Sequence, residues 1–166
     1  MTTMLKRAAA TQACMDRFAG RSYAPGVRDC GKLAAHSLHK LGRRATLLTA
    51  SRHTTEAGAV RYIRKAGFKD LVELMDAVLP GARIPPAAAL PGDIVAMAME
   101  DGDPFGCSLT VALDNGRILG FKDGVCQVLV PLHFVTAWQV LGPAFMGPPV
   151  YAVDDYDHDH HVEELE

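Results

Sequence analysis

YAPGVRDCGKLAAHSLHKL, residues 23–41, decides how the rest of the chain is read. Pro25-Gly26 forces a turn. Asp29 then follows as a strong N-cap, because its side-chain oxygen can accept the free amide hydrogens of a first helical turn. A helix therefore starts at Cys30, with Cys30, Ala34, Leu38 and Leu41 along one side and Lys32, His36, His39 and Arg43 along another. Gly42 stops it. The basic stripe reads as a solvated face, with an acidic partner as the alternative. A cysteine on the first turn lies at the positive end of the helix dipole, which favours thiolate over thiol. Cys30 thus has two readings: a nucleophile presented at a helix start, or a small buried residue closing a core helix.

Upstream, MTTMLKRAAATQACMDRF (residues 1–18) reads as an amphipathic helix with Met4, Ala8, Met15 and Phe18 on one face. It has no long apolar run and so is not a secretion signal, which makes synthesis in a reducing cytoplasm the expectation. Downstream, Thr54 or Thr55 caps a helix from about Glu56 to Lys65, and Lys69–Val78 forms another with Leu71, Leu74, Met75 and Val78 apolar. RIPPAAALPGD (83–93) is a proline-rich connector that cannot be helical throughout.

The second half changes character. DIVAMAME (93–100), CSLTVALD (107–114), GRILGFKD (116–123) and VCQVLVPL (125–132) are short, apolar and separated by turn residues. They predict an antiparallel meander whose clearest hairpin turn is Asn115-Gly116. HFVTAWQVLGP (133–143) adds a last strand or turn, with Trp138 in the core. Helices first and strands afterwards give an α+β domain over residues 1–146, N-terminal helices packing on a C-terminal antiparallel sheet. Residues 147–166 are acidic and His-rich and read as a flexible tail. Asp157, His158, Asp159, His160 and His161 have donor types that suit a divalent metal, but a solubilising or partner-binding tail is the favoured reading. No metal or cofactor is assigned.

Composition narrows the function classes. With 166 residues, a net charge of −2 and no long basic block, nucleic acid is not an expected partner. No segment is apolar for long enough to span a bilayer. Cys14, Cys30, Cys107 and Cys126 lie far apart without a CxxC pair, which argues against a zinc knuckle and against a disulfide-stapled fold.

Tyr23-x-Pro25-Gly26-x-x-Asp29-Cys30 resembles the aromatic-x-Trp-Gly-x-x-Asp-Cys motif of small NlpC-like proteins of phages and prophages, within the papain-like cysteine peptidase superfamily. Pro25 stands where those proteins usually carry Trp. HTTEAGAVRYIRKAGFKDLVELMD (53–76) resembles their helical insert, and Leu90-Pro91-Gly92-Asp93-Ile94-Val95 the opening of their first core strand. VPLHFVTAWQV (130–140) resembles their closing segment, in which an Ala-Trp pair recurs. The resemblance covers about residues 4–141. It implies a Cys-bearing helix packed on an antiparallel sheet, with the cysteine attacking a peptide bond in cell-wall murein. A strand histidine would serve as base and acid, and a further polar residue would orient it.

The sequence departs from that pattern at the base. The histidine strand aligns with Ser108-Leu109-Thr110-Val111, so Ser108 takes the histidine's place and the orienting residue falls near Gly120, which has no side chain. A register shifted by one places Cys107 there instead, within approach of Cys30 for a disulfide or a shared metal, with two unrelated core residues as the plainer account. His36 and His39 lie along the nucleophile's own helix, away from its start. His53 reads as a surface or cap-region residue. His133, after the last strong strand, is the candidate that folds back toward the site. The resemblance makes Cys30 and His133 the candidate catalytic residues. Tyr23 and Asp29 flank the cysteine, Asp29 as cap, and Ser108 lines the same site. The missing base favours a tail-associated structural or binding component with degenerate or absent peptidase activity. Its implied partners are tail-tip or baseplate proteins and murein, and its place would be the virion tail. The alternative is an active cysteine murein endopeptidase or amidohydrolase using Cys30 with an unconventional base.

Overall fold

Asp29 caps helix α2 (Cys30–Lys40): an extended backbone at Asp29 turns its Oδ1 onto the Lys32 amide at 2.9 Å. The computed structural model describes residues 2–142. The proposed domain boundary at 146 and the tail after it lie outside the described residues. Three more helices start in the same way: α1 (Thr3–Phe18) on Thr2, α4 (Glu56–Lys65) on Thr55 and α5 (Leu71–Val78) on Asp70. In each, the cap oxygen accepts the amide three residues on. One further turn, α3 (Thr46–Thr49), has no side-chain cap and is not signalled by the sequence pattern. No helix among the described residues is long and apolar enough to cross a membrane.

The strands are β1 (Arg83–Ile84), β2 (Ile94–Met97), β3 (Ser108–Ala112), β4 (Ile118–Lys122), β5 (Val125–Leu129) and β6 (Phe134–Trp138). They form one antiparallel sheet in the order β1-β6-β2-β3-β4-β5, so the fold is α+β with helices preceding strands. The meander runs from β2 to β5, with Asn115 at a φ of 53° in the turn between β3 and β4. It does not continue into β6, which crosses back to the other side of β2. The proline-rich connector is not wholly irregular either, since Arg83 and Ile84 pair with Trp138 and Ala137 as the β1 edge.

The main core lies between the helices and one face of the sheet and includes Phe18, Leu33, Leu38, Leu109, Val111, Leu119 and Trp138. Val95, Ala112, Ile118 and Ala137 make a smaller cluster on the other face. Trp138 is buried, with its indole N–H donating to Asp76 at 3.0 Å. The apolar face expected for α1 holds at Phe18, which is buried, and at Met15, which packs against the core, but not at its start. Met4 and Ala8 are exposed, and the buried face is Arg7, Ala10, Cys14 and Phe18. Arg7 turns inward because Asp93 meets it at 2.8 Å and the Pro91 and Leu141 carbonyls each accept at 2.9 Å. A hydrophobic count cannot anticipate a charge that is buried with its partner.

Candidate functional site

Strands β3 and β4 pair only at Val111–Leu119 and Ala112–Ile118. Nearer the start of β3 they part, β3 staying on β2 while β4 follows β5. A cleft of about 490 Å³ opens there, against the start of α2. Cys30, Tyr23, Asp29, Ser108 and His133 all line it, so the chain brings together every residue that the sequence marks as a candidate.

The Leu109 amide donates to the Cys30 sulfur, joined by the amides of Gly31 and Cys30 itself. These donors favour a thiolate, but burial outweighs them and, with Asp29 beside it, pushes the thiol up to about 11. Burial thus works against the thiolate that the helix start favours. Alternation along the strand puts Cys107 and Leu109 on the buried side facing α2, and it leaves Ser108 half-buried on the other. Of the two registers, Cys107 is the one that looks toward Cys30. Its thiol is pushed up as well, by burial and then by the charge Cys30 would carry. All four cysteines are free.

Tyr23 packs edge-on against Phe121, ring centres 5.5 Å apart. Its phenol hydrogen-bonds Glu56 and is pushed up, first by burial and then by that carboxylate. His133 is exposed on the segment between β5 and β6, and no hydrogen bond or ion pair among the described residues ties its ring to Cys30. The candidate base is thus in the cleft but not engaged with the nucleophile. His36 is well away from this chemistry, edge-on to Phe18 and lowered to about 4 by burial and then by Arg17 and Lys40.

His53 is the residue that the sequence misplaces. It is half-buried, and its Nε2 lies 2.7 Å from Asp29 Oδ2 while Nδ1 lies 2.6 Å from Ser51 Oγ. A carboxylate only accepts, so Nε2–H donates to Asp29, and in the neutral ring the Ser51 hydroxyl donates to Nδ1. Asp29 is therefore cap and anchor together, its Oδ2 also accepting the Gly26 amide at 2.8 Å. The close approach requires glycine: Gly26 has a φ of +80°, and a Cβ there would run into the His53 carbonyl oxygen. Nothing local links positions 24 residues apart. The available signal was the motif glycine itself, which asks what backbone packs against it.

Among the described residues no group of three or more His, Cys, Asp or Glu side chains could hold a metal ion. The arrangement can bind a ligand in a largely apolar groove and present the Cys30 thiol to it, with both ring nitrogens of His53 already engaged.

No curated protein and no solved structure matches the chain. A family described as a domain of unknown function (DUF6950) matches residues 4–140. That span takes in every element of the fold but its extreme ends, and the chain belongs to this family.

Proposed function

We propose that this chain is an NlpC-like domain of papain-like fold that binds murein as a component of a phage or prophage tail, with its peptidase chemistry degenerate or lost. The fold part of this reading rests on the Tyr23-x-Pro25-Gly26-x-x-Asp29-Cys30 motif, on a cysteine-headed helix before an antiparallel sheet, and on a cleft beginning at that cysteine. The virion assignment, with tail-tip or baseplate neighbours, rests on the sequence resemblance alone.

One observation supports the loss of hydrolysis: among the described residues no histidine ring engages Cys30. The β3 side that faces it presents Cys107, and His53 is held by Asp29 and Ser51. Cysteine hydrolysis needs a group that removes the thiol proton and returns one to the leaving amine. Burial raises the thiol to about 11, and no base beside it among the described residues serves either step. The competing reading, an active murein endopeptidase, is favoured by the amides of Leu109 and Gly31 at the sulfur, a setting that would hold a negative charge.

The experiment is co-sedimentation with purified murein together with analysis of released muropeptides, for the wild type and Cys30→Ala. Binding without release in both supports the proposal. Release that disappears in Cys30→Ala replaces it with the hydrolase, and His133→Ala then tests the base. Absence of binding to walls of several chemistries removes the murein assignment.

A further inference from the structure

We propose that Cys30 and Cys107 form a dithiol site in the cleft that closes to a disulfide when a small-molecule disulfide enters. The two cysteines are far apart in sequence but share one cavity, one from the head of α2 and the other from the residue before β3. The Leu109 amide donates to the Cys30 sulfur, and Leu109 lies two residues along from Cys107 on the same side of the strand. The start of β3 therefore lies beside the head of α2, the two elements packing on each other. The splaying of β3 from β4 leaves this end of β3 unpaired on one side, so a small inward movement of Cys107 breaks no ladder bond to β4.

The two thiols differ in access, and that sets the order of steps. Cys30 is half-buried at the cleft wall, whereas Cys107 is 1% exposed. Cys30, deprotonated by solvent base and stabilised by its three amides, attacks one sulfur of a reagent such as oxidised glutathione. A Cys30–glutathione mixed disulfide forms and one glutathione thiolate leaves. Cys107, losing its proton, then attacks the Cys30 sulfur and expels the second glutathione. The two protein thiols are oxidised by two electrons, and one glutathione disulfide is reduced to two thiols. The product ties the start of β3 to α2 and removes Cys30 from the cleft wall.

Cys14 and Cys126 are the competing pair. Both are fully buried, neither lines this cleft, and Cys14 is hydrogen-bonded to Ser37. They serve as the internal control.

The test treats the folded full-length protein with oxidised glutathione, blocks remaining thiols, and maps tryptic peptides without reduction. The expected product is one disulfide per chain joining the peptide Asp29–Lys32 to the one spanning residues 84–117. Alkylation should be lost at both cysteines and restored by dithiothreitol. Cys107→Ser is expected to stop at a stable glutathione adduct on Cys30. Should that variant fail to fold, the wild-type map alone decides. A wild-type chain that stops at the Cys30 adduct, links Cys14 to Cys126, or takes up nothing overturns the proposal. The murein reading is untouched by any of these outcomes, because binding is measured on the reduced protein.

Discussion

Asp29 and Asp93 are two versions of one construction at two ends of the molecule. Each follows a Pro-Gly turn, each carboxylate accepts two backbone amides, and each holds one basic side chain. Asp93 holds Arg7, and both side chains are sealed, at 0% and 1% exposure. Asp29 holds His53, at 9% and 10%, on the wall of an open cleft. Arginine stays charged throughout the accessible pH range, so the first pair is a fixed fastener of α1, the Leu90–Asp93 turn and the end of β6. The second pair borders the cleft, where a ligand can reach it. The same motif thus serves as a lock where it is dry and as part of a site where it is wet.

The largest expected effect tests the lock. Asp93→Ala leaves the Arg7 guanidinium buried without its carboxylate and strips the Leu90 and Val140 amides of their acceptor. Removing one member of a buried ion pair costs about 3–5 kcal/mol, a large share of a domain's total stability of about 5–15 kcal/mol. Chemical denaturation should show Asp93→Ala near the threshold of folding, while Asp29→Ala loses about 0.5–2 kcal/mol, the range for an N-cap. Equal losses at the two aspartates would dissolve the distinction between them.

The glycines before the two aspartates sharpen it. Gly26 and Gly92 both have positive φ, +80° and +91°, so alanine at either costs about 1–2 kcal/mol in backbone strain. A Cβ at Gly92 meets Leu41 Cδ1 at 2.8 Å, the end of a side chain that can rotate away. A Cβ at Gly26 meets the His53 carbonyl, which is backbone, and clearing it adds about 1–3 kcal/mol by displacing the Ser51–His53 segment. Gly26→Ala is therefore expected to destabilise more than Gly92→Ala in urea melts. Histidine resonances of Gly26→Ala should also show His53 released from Asp29. An unchanged His53 signal would mean that the segment is held by other contacts.

How much of this was legible beforehand follows the same division. Caps and turns are local: Asp29, Thr55 and Asn115-Gly116 were readable because each acts within a few residues of itself. The strands from Ile94 to Leu129 announced themselves by apolar runs between turns. The inward Arg7, the return of β6 beside β2 and the docking of His53 on Asp29 were not readable, since each depends on a partner distant in sequence. In the site, Cys30 and Asp29 were found through the helix start they build. His53 is not marked by the sequence, because its own neighbours look like an ordinary helix approach. The register at β3 was open between Ser108 and Cys107, and only the packing of Leu109 on α2 decides it.

The smallest effect compares cysteines at the two ends. Cys14 packs in the core on the face of α1 that carries Arg7, and burial raises it to about 12. Cys30 borders the cleft and is raised to about 11. The reactive form is the thiolate, so iodoacetamide labelling of Cys30 should rise about tenfold per pH unit from neutrality upward, with no plateau below about 11. Cys14 should remain unlabelled over the same range until the protein unfolds, because access rather than ionisation limits it. A Cys30 rate that levels off near the ordinary thiol value would show that the amides of Leu109 and Gly31 outweigh burial after all. Cys30 would then ionise as an ordinary thiol, and muropeptide release would remain the test that separates binder from hydrolase. Labelling of Cys14 in step with Cys30 would instead mean that the Arg7–Asp93 end opens as readily as the cleft, which a sealed ion pair forbids.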